Sequence, residues 1–163
     1  MVGLFLFSGY FELASQKAKY YKMKTTTFLT FVNDQCGKAA EAMNFYVSLF
    51  PNSEIKKVIN FAEGEPGGSP ELIKYAEFTL NGTPYMLSEN NYKHAWSFSL
   101  GVSIFVECYS DDEITTLFDQ LSANGGKIFM PLDHYDLGEY AFGKKFGWCG
   151  DRFGISWQMR LAS

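Results

Sequence analysis

Gln158 is the first residue with chemistry to account for. In "FGWCGDRFGISWQM" (146–159), alternation puts Ile155 and Trp157 on one face of a strand and Ser156 and Gln158 on the other, with Asp151-Arg152-Phe153-Gly154 as the turn before it. A glutamine at an inward strand position needs a hydrogen-bond partner or a ligand. Glu77 raises the same question in "LIKYAEFTL" (72–80), where Tyr75 and Thr79 share its face. Two readings stand for it: half of an ion pair across a sheet, or a cavity carboxylate whose pKa is raised.

The remaining candidates offer less. His94 and His134 are the only histidines, both in loop-like stretches. A histidine-rich metal site or a Ser-His-Asp triad would have to be built from very little, so both read as exposed loop residues. Cys36, Cys108 and Cys149 are odd in number and lack CxxC spacing, which fits reduced thiols in the cytoplasm rather than a disulfide framework. Cys108 and Cys149 lie in strand-like stretches with no base near them in sequence, so packing is their expected role. A methyl donor usually sits against a glycine-rich strand-to-helix turn, and "FVNDQCGKAAEA" (31–42) has one glycine. Methyl transfer is not expected.

These residues must be held by regular elements. "TTTFLTFVN" (25–33) is β-branched and aromatic and reads as a strand, with Asp34 able to cap the following turn. "GKAAEAMNFYVSLF" (37–50) repeats apolar residues at helical intervals and stops before Pro51. Strands follow at 53–61, 72–80 and 83–89, the last two joined by the hairpin signal Asn81-Gly82. The order β-α-β-β-β then recurs: a strand at 101–110, a helix headed by Asp111 and Asp112 and ended by Gly125-Gly126, a short strand from Lys127, and two strands around Asp151–Gly154. Two such units in one chain form an internal structural repeat.

With these elements placed, "GKAAEAMNFYVSLFPNSEI", "YAEFTLNGTPYMLSE", "SIFVECYSDDEI" and "GWCGDRFGISWQM", in that order, resemble PhnB-like proteins. These are often labelled as a 3-demethylubiquinone-9 3-methyltransferase domain, and they fall within the vicinal oxygen chelate superfamily of glyoxalase and bleomycin-resistance proteins. The match runs from about Thr25 to about Met159. The resemblance implies an α+β fold in which two βαβββ modules, about 24–90 and 100–160, form an eight-stranded cupped mixed sheet around a ligand cavity, usually as a homodimer. It also implies four metal-ligand positions, which fall at Phe28, Glu77, Ser103 and Gln158. Phenylalanine has no lone pair to offer and serine is a poor neutral ligand, so neither a metal nor another cofactor is expected. What remains is a lined cavity. Phe28, Met86, Phe105 and Trp148, with Trp157, would be its walls, and Tyr75, Glu77, Ser103 and Gln158 its polar groups, although the tryptophans read equally well as core. The expected function is small-molecule binding with no assigned reaction. A metal-dependent lyase, isomerase or dioxygenase, and a protein that sequesters a toxic compound, are the alternatives.

Composition narrows the partners. The 163 residues carry 14 basic and 18 acidic side chains, a net charge of −4, with no cluster of Lys and Arg on one face, so a nucleic-acid footprint is missing. The apolar stretch "VGLFLFSGYF" (2–11) lacks a basic leader and is too short to span a bilayer. Residues 1–23 therefore read as a dispensable extension of a single domain at 24–160, in a cytoplasmic protein that does not enter a membrane.

Overall fold

A computed structural model describes residues 23–135 and 145–162. The extension at 1–22 and most of the connection between 133 and 146 lie outside the described residues.

The first module runs β1 (Thr27–Phe31), a 3-10 turn (Asn33–Gln35), α1 (Ala39–Leu49), β2 (Glu54–Asn60), β3 (Ile73–Leu80) and β4 (Thr83–Glu89). The second runs β5 (Ser103–Cys108), α2 (Asp111–Ser122), β6 (Lys127–Asp133), β7 (Phe146–Gly150) and β8 (Ser156–Leu161). The fold is α+β, as expected, with the eight strands shared between two four-stranded mixed sheets of orders β1-β4-β3-β2 and β5-β8-β7-β6. In each sheet the first strand of the module runs parallel to the last, and every other pair is antiparallel. β1 and β5 are consequently both edge strands.

Local chemistry explains the element ends. Asn81 and Gly82 both take left-handed backbone angles (φ 45° and 77°), the geometry that a two-residue hairpin between Leu80 and Thr83 requires. α2 opens on Ser110, whose hydroxyl accepts from the Glu113 N–H at 3.2 Å, while the Glu113 carboxylate takes the Tyr109 N–H at 2.7 Å. α1 is entered differently from the expectation. Asp34 lies in the 3-10 turn and the helix has no side-chain cap. Instead the buried Glu89 carboxylate reaches across from β4 and accepts from the Gly37 N–H at 2.6 Å and the Ile73 N–H at 2.8 Å.

One core serves both modules. Leu29, Phe31, Ala42, Met43, Tyr46 and Phe78 from the first join Leu117, Leu121, Phe153, Trp157 and Met159 from the second. Cys108 and Cys149 are buried in it, and burial pushes their thiols up to about 11 and about 12, so they pack as neutral apolar groups. Trp157 belongs to this core rather than to a cavity wall, being 0% exposed and stacked on Phe50. Among the described residues no helix is long and apolar enough to cross a membrane.

Candidate functional site

The pleat dictates what each edge strand shows. In β1, Leu29 and Phe31 go into the core while Phe28 stays 47% exposed. In β5, Cys108 is buried and Phe105 stays 44% exposed. Between these two strands lies an open cleft of about 440 Å³, lined by 27–30 on one side and by 102–105 with Ile155 and Ser156 on the other, with Tyr85 contributing from β4. Its remaining wall is the linker between the modules, through Trp96, Ser97, Phe98 and Ser99.

That linker is built in place. Asn33, in the left-handed region (φ 54°), donates from Nδ2 to the carbonyls of His94 (3.1 Å) and Trp96 (2.9 Å) and accepts from the His94 N–H (2.9 Å). His94 is half-buried, with its Nε2 at 2.9 Å from Asn90 Oδ1 and its ring 4.5 Å from that of Trp96. It is thus part of the strap rather than the exposed loop residue expected from sequence. Phe98 packs edge-on against Phe31, 5.1 Å between ring centres. His134 is exposed.

Strand register places the candidate residues on two cross-sheet rows. Phe28, Met86, Glu77 and Lys57 follow one another across β1, β4, β3 and β2. Phe105, Gln158, Trp148 and Met130 do so across β5, β8, β7 and β6. Phe28, Ser103 and Phe105 come together at the cleft. Gln158 and Trp148 stand behind it, joined to it by hydrogen bonds. Gln158 Nε2 donates to Ser103 Oγ at 3.0 Å, Ser103 and Ser156 share a hydrogen bond at 2.7 Å, and Trp148 Nε1 donates to Ser156 Oγ at 2.9 Å. The partner that Gln158 demanded is therefore Ser103.

Met86, Glu77 and Tyr75 are not among the lining residues. Glu77 accepts from the Tyr75 hydroxyl at 2.7 Å, and no ion pair to it is formed among the described residues. That hydroxyl's pKa is raised, chiefly by the bond to Glu77. The four positions implied as metal ligands do not suit a metal. Phe28 offers no donor, Ser103 is engaged with Gln158 and Ser156, and no group of three His, Cys, Asp or Glu able to hold an ion occurs among the described residues.

Sequence reasoning missed the strap and Ser156. Residues 96–99 have no periodicity, so only the cluster of two aromatics and two serines marked them. Ser156 stands two residues before Gln158, and its role follows only from the strand pairing that sets it against Ser103.

The sequence model of the 3-demethylubiquinone-9 3-methyltransferase family matches residues 23–160. Among solved structures, the PhnB protein from Bacillus cereus is 44% identical, with 86% of this chain covering 100% of that one at a TM-score of 0.74. Protein PA1353 from Pseudomonas aeruginosa is 24% identical, with 86% and 98% covered and a TM-score of 0.69. A glyoxylase/bleomycin resistance protein/dioxygenase domain from Frankia sp. EAN1pec shares the fold at 12% identity, with 88% and 99% covered and a TM-score of 0.56. No curated protein matches.

Proposed function

The chain belongs to the PhnB-like 3-demethylubiquinone-9 3-methyltransferase family of the vicinal oxygen chelate superfamily, and from that membership we propose that it is a cytoplasmic homodimer binding a small, partly apolar molecule in the cleft between its modules. The observation that carries the reading is the cleft itself, about 440 Å³ with Phe28, Trp96, Phe98 and Phe105 as walls and serine and threonine hydroxyls between them. Phe28, Ser103 and Phe105 are the contact residues of this proposal. Gln158 and Trp148 orient the serines, and Met86, Tyr75 and Glu77 extend the binding face for a longer ligand.

Methyl transfer is not part of the reading. The turn from β1 into α1 has one glycine, and the Glu89 carboxylate already occupies the N–H of that glycine, Gly37. That backbone N–H is therefore not free to hold a donor molecule. A metal-dependent reaction finds no suitable donor set in the residues described above.

Thermal melts against a metabolite library test the proposal on the wild type and on Phe28→Asp, which places a charge on the exposed cleft wall. Partly apolar compounds should raise the wild-type melting temperature and lose the effect in the variant. A library that shifts neither protein, or shifts that survive in Phe28→Asp, would refute the cleft as the binding site.

A further inference from the structure

The serine pair has a proton to spare. Two hydroxyl groups contain two hydrogens, and the bond between Ser103 and Ser156 uses one. The two N–H groups arriving from Gln158 and Trp148 fill acceptor positions and take up no hydroxyl hydrogen. Neither serine donates to any other acceptor among the described residues, so one O–H is left over. Burial decides which. Ser156 is 2% exposed, and a buried donor without an acceptor costs the full desolvation of that group, whereas Ser103 is half-exposed on the cleft wall. The favourable arrangement is a one-way chain in which Trp148 donates to Ser156, Ser156 donates to Ser103, and Gln158 also donates to Ser103. Ser103 then accepts twice and holds its own hydrogen for the cleft, polarised by the donors behind it.

The charge of the lining adds the second constraint. Among the described residues, no lysine, arginine, histidine, aspartate or glutamate lines the cleft. Arg160, over the Phe105 ring of the aromatic wall at 5.7 Å, is ion-paired with Glu107. An anion entering this space would be desolvated without a counter-charge.

From these two constraints we infer that the cleft selects an uncharged, aromatic or partly apolar molecule bearing a hydrogen-bond acceptor of the carbonyl type, and that Ser103 is the donor that recognises that oxygen. The inference rests on the small-molecule reading above and narrows it to a ligand class. Gln158 is a positioning residue here, since it acts on the ligand through Ser103.

Three fluorescent probes separate the claims: prodan, a neutral aminonaphthyl ketone; N-phenylnaphthylamine, neutral and without a carbonyl; and anilinonaphthalene sulfonate, an anion. Wild-type protein should bind prodan more tightly than either other probe. Its bound emission should lie to the red of that in Ser103→Ala, because a hydrogen bond to the ketone lowers the emitting state. Ser103→Ala should weaken prodan roughly tenfold and leave N-phenylnaphthylamine unchanged. Gln158→Glu turns the neighbouring group into an acceptor that captures the Ser103 proton, and should reproduce both changes. Unchanged melting temperatures in the two variants guard against a folding artefact. Binding of N-phenylnaphthylamine with no prodan preference, or prodan insensitive to both variants, overturns the donor role while the binding function stands. Tightest binding of the sulfonate overturns the neutral-ligand claim. Failure of all three probes overturns this inference and the binding reading together.

Discussion

Tyr46 donates to Asp151 Oδ2 at 2.6 Å inside the shared core, and the same carboxylate accepts from Trp157 Nε1 at 2.8 Å and from the Phe153 and Ile155 N–H groups at 2.8 and 3.0 Å. Burial nevertheless holds the Asp151 carboxyl above its ordinary value of 3.8, outweighing the four donors that pull it down. An acid raised in this way favours the folded state at pH below its unfolded value, and that contribution is lost as pH rises through the folded value. Tyr46→Phe removes one of the lowering bonds and raises the carboxyl further. The variant should lose about 2 kcal/mol near neutrality, with a smaller deficit near about pH 4, by denaturant melts at both. An equal deficit at the two pH values would mean that Asp151 keeps its proton throughout. At this scale the sequence was partly legible. Gln158 had to have a partner because a polar group sat at an inward strand position, and the neutral packing of Cys108 and Cys149 followed from strand context. The pairing of Tyr46 with Asp151 could not be read, because 105 positions separate them and nothing local to either names the other.

Regular elements were legible where a period or a turn signal repeats. β4 spans 83–89 as expected, and the Asn81-Gly82 hairpin has the backbone that its sequence demands. α2 holds its whole apolar face, Ile114 to Leu121, but ends at Ser122, before the expected Gly125-Gly126, and the tail through Asn124 and Gly125 turns left-handed. The linker at 90–102 has no such pattern, since its conformation is imposed by one distant side chain. Asn33→Gly tests that dependence without straining the backbone, as glycine accepts the left-handed angle at this position. It should remove the three hydrogen bonds to His94 and Trp96, cost about 1–2 kcal/mol locally, and speed amide exchange at His94. Prodan affinity should fall with it, because Trp96 and Phe98 are no longer held at the cleft. Unchanged exchange at His94 would show that Phe98 against Phe31 suffices to hold the strap.

Across the whole molecule, two sheets that share no ladder are joined through side chains. Tyr46 of α1 and Phe50 just after it meet Phe153 and Trp157 of the second module, and Arg152 lies over the Phe45 ring at 4.2 Å while pairing with Glu41. β2 closes one sheet with every residue exposed, including Ile55, Val58 and Ile59. An open edge with that much apolar surface favours a second copy over a monomer. A chain starting at Met23 should keep the melting temperature of the full chain and give twice its own mass by light scattering at micromolar concentration. A large fall in melting temperature would assign residues 1–22 a place against the sheets. A monomer mass would refute the dimer.

The core shared by Tyr46 and Asp151 also has a consequence during synthesis. A ribosome completes β1 to β4 long before Phe153 and Trp157 leave the exit tunnel, so the face of α1 that they cover waits in water with its phenol unpartnered. Vectorial folding of the first module alone therefore stops short of a finished core. A nascent chain keeps that apolar face open, and prone to association, until β8 has been made.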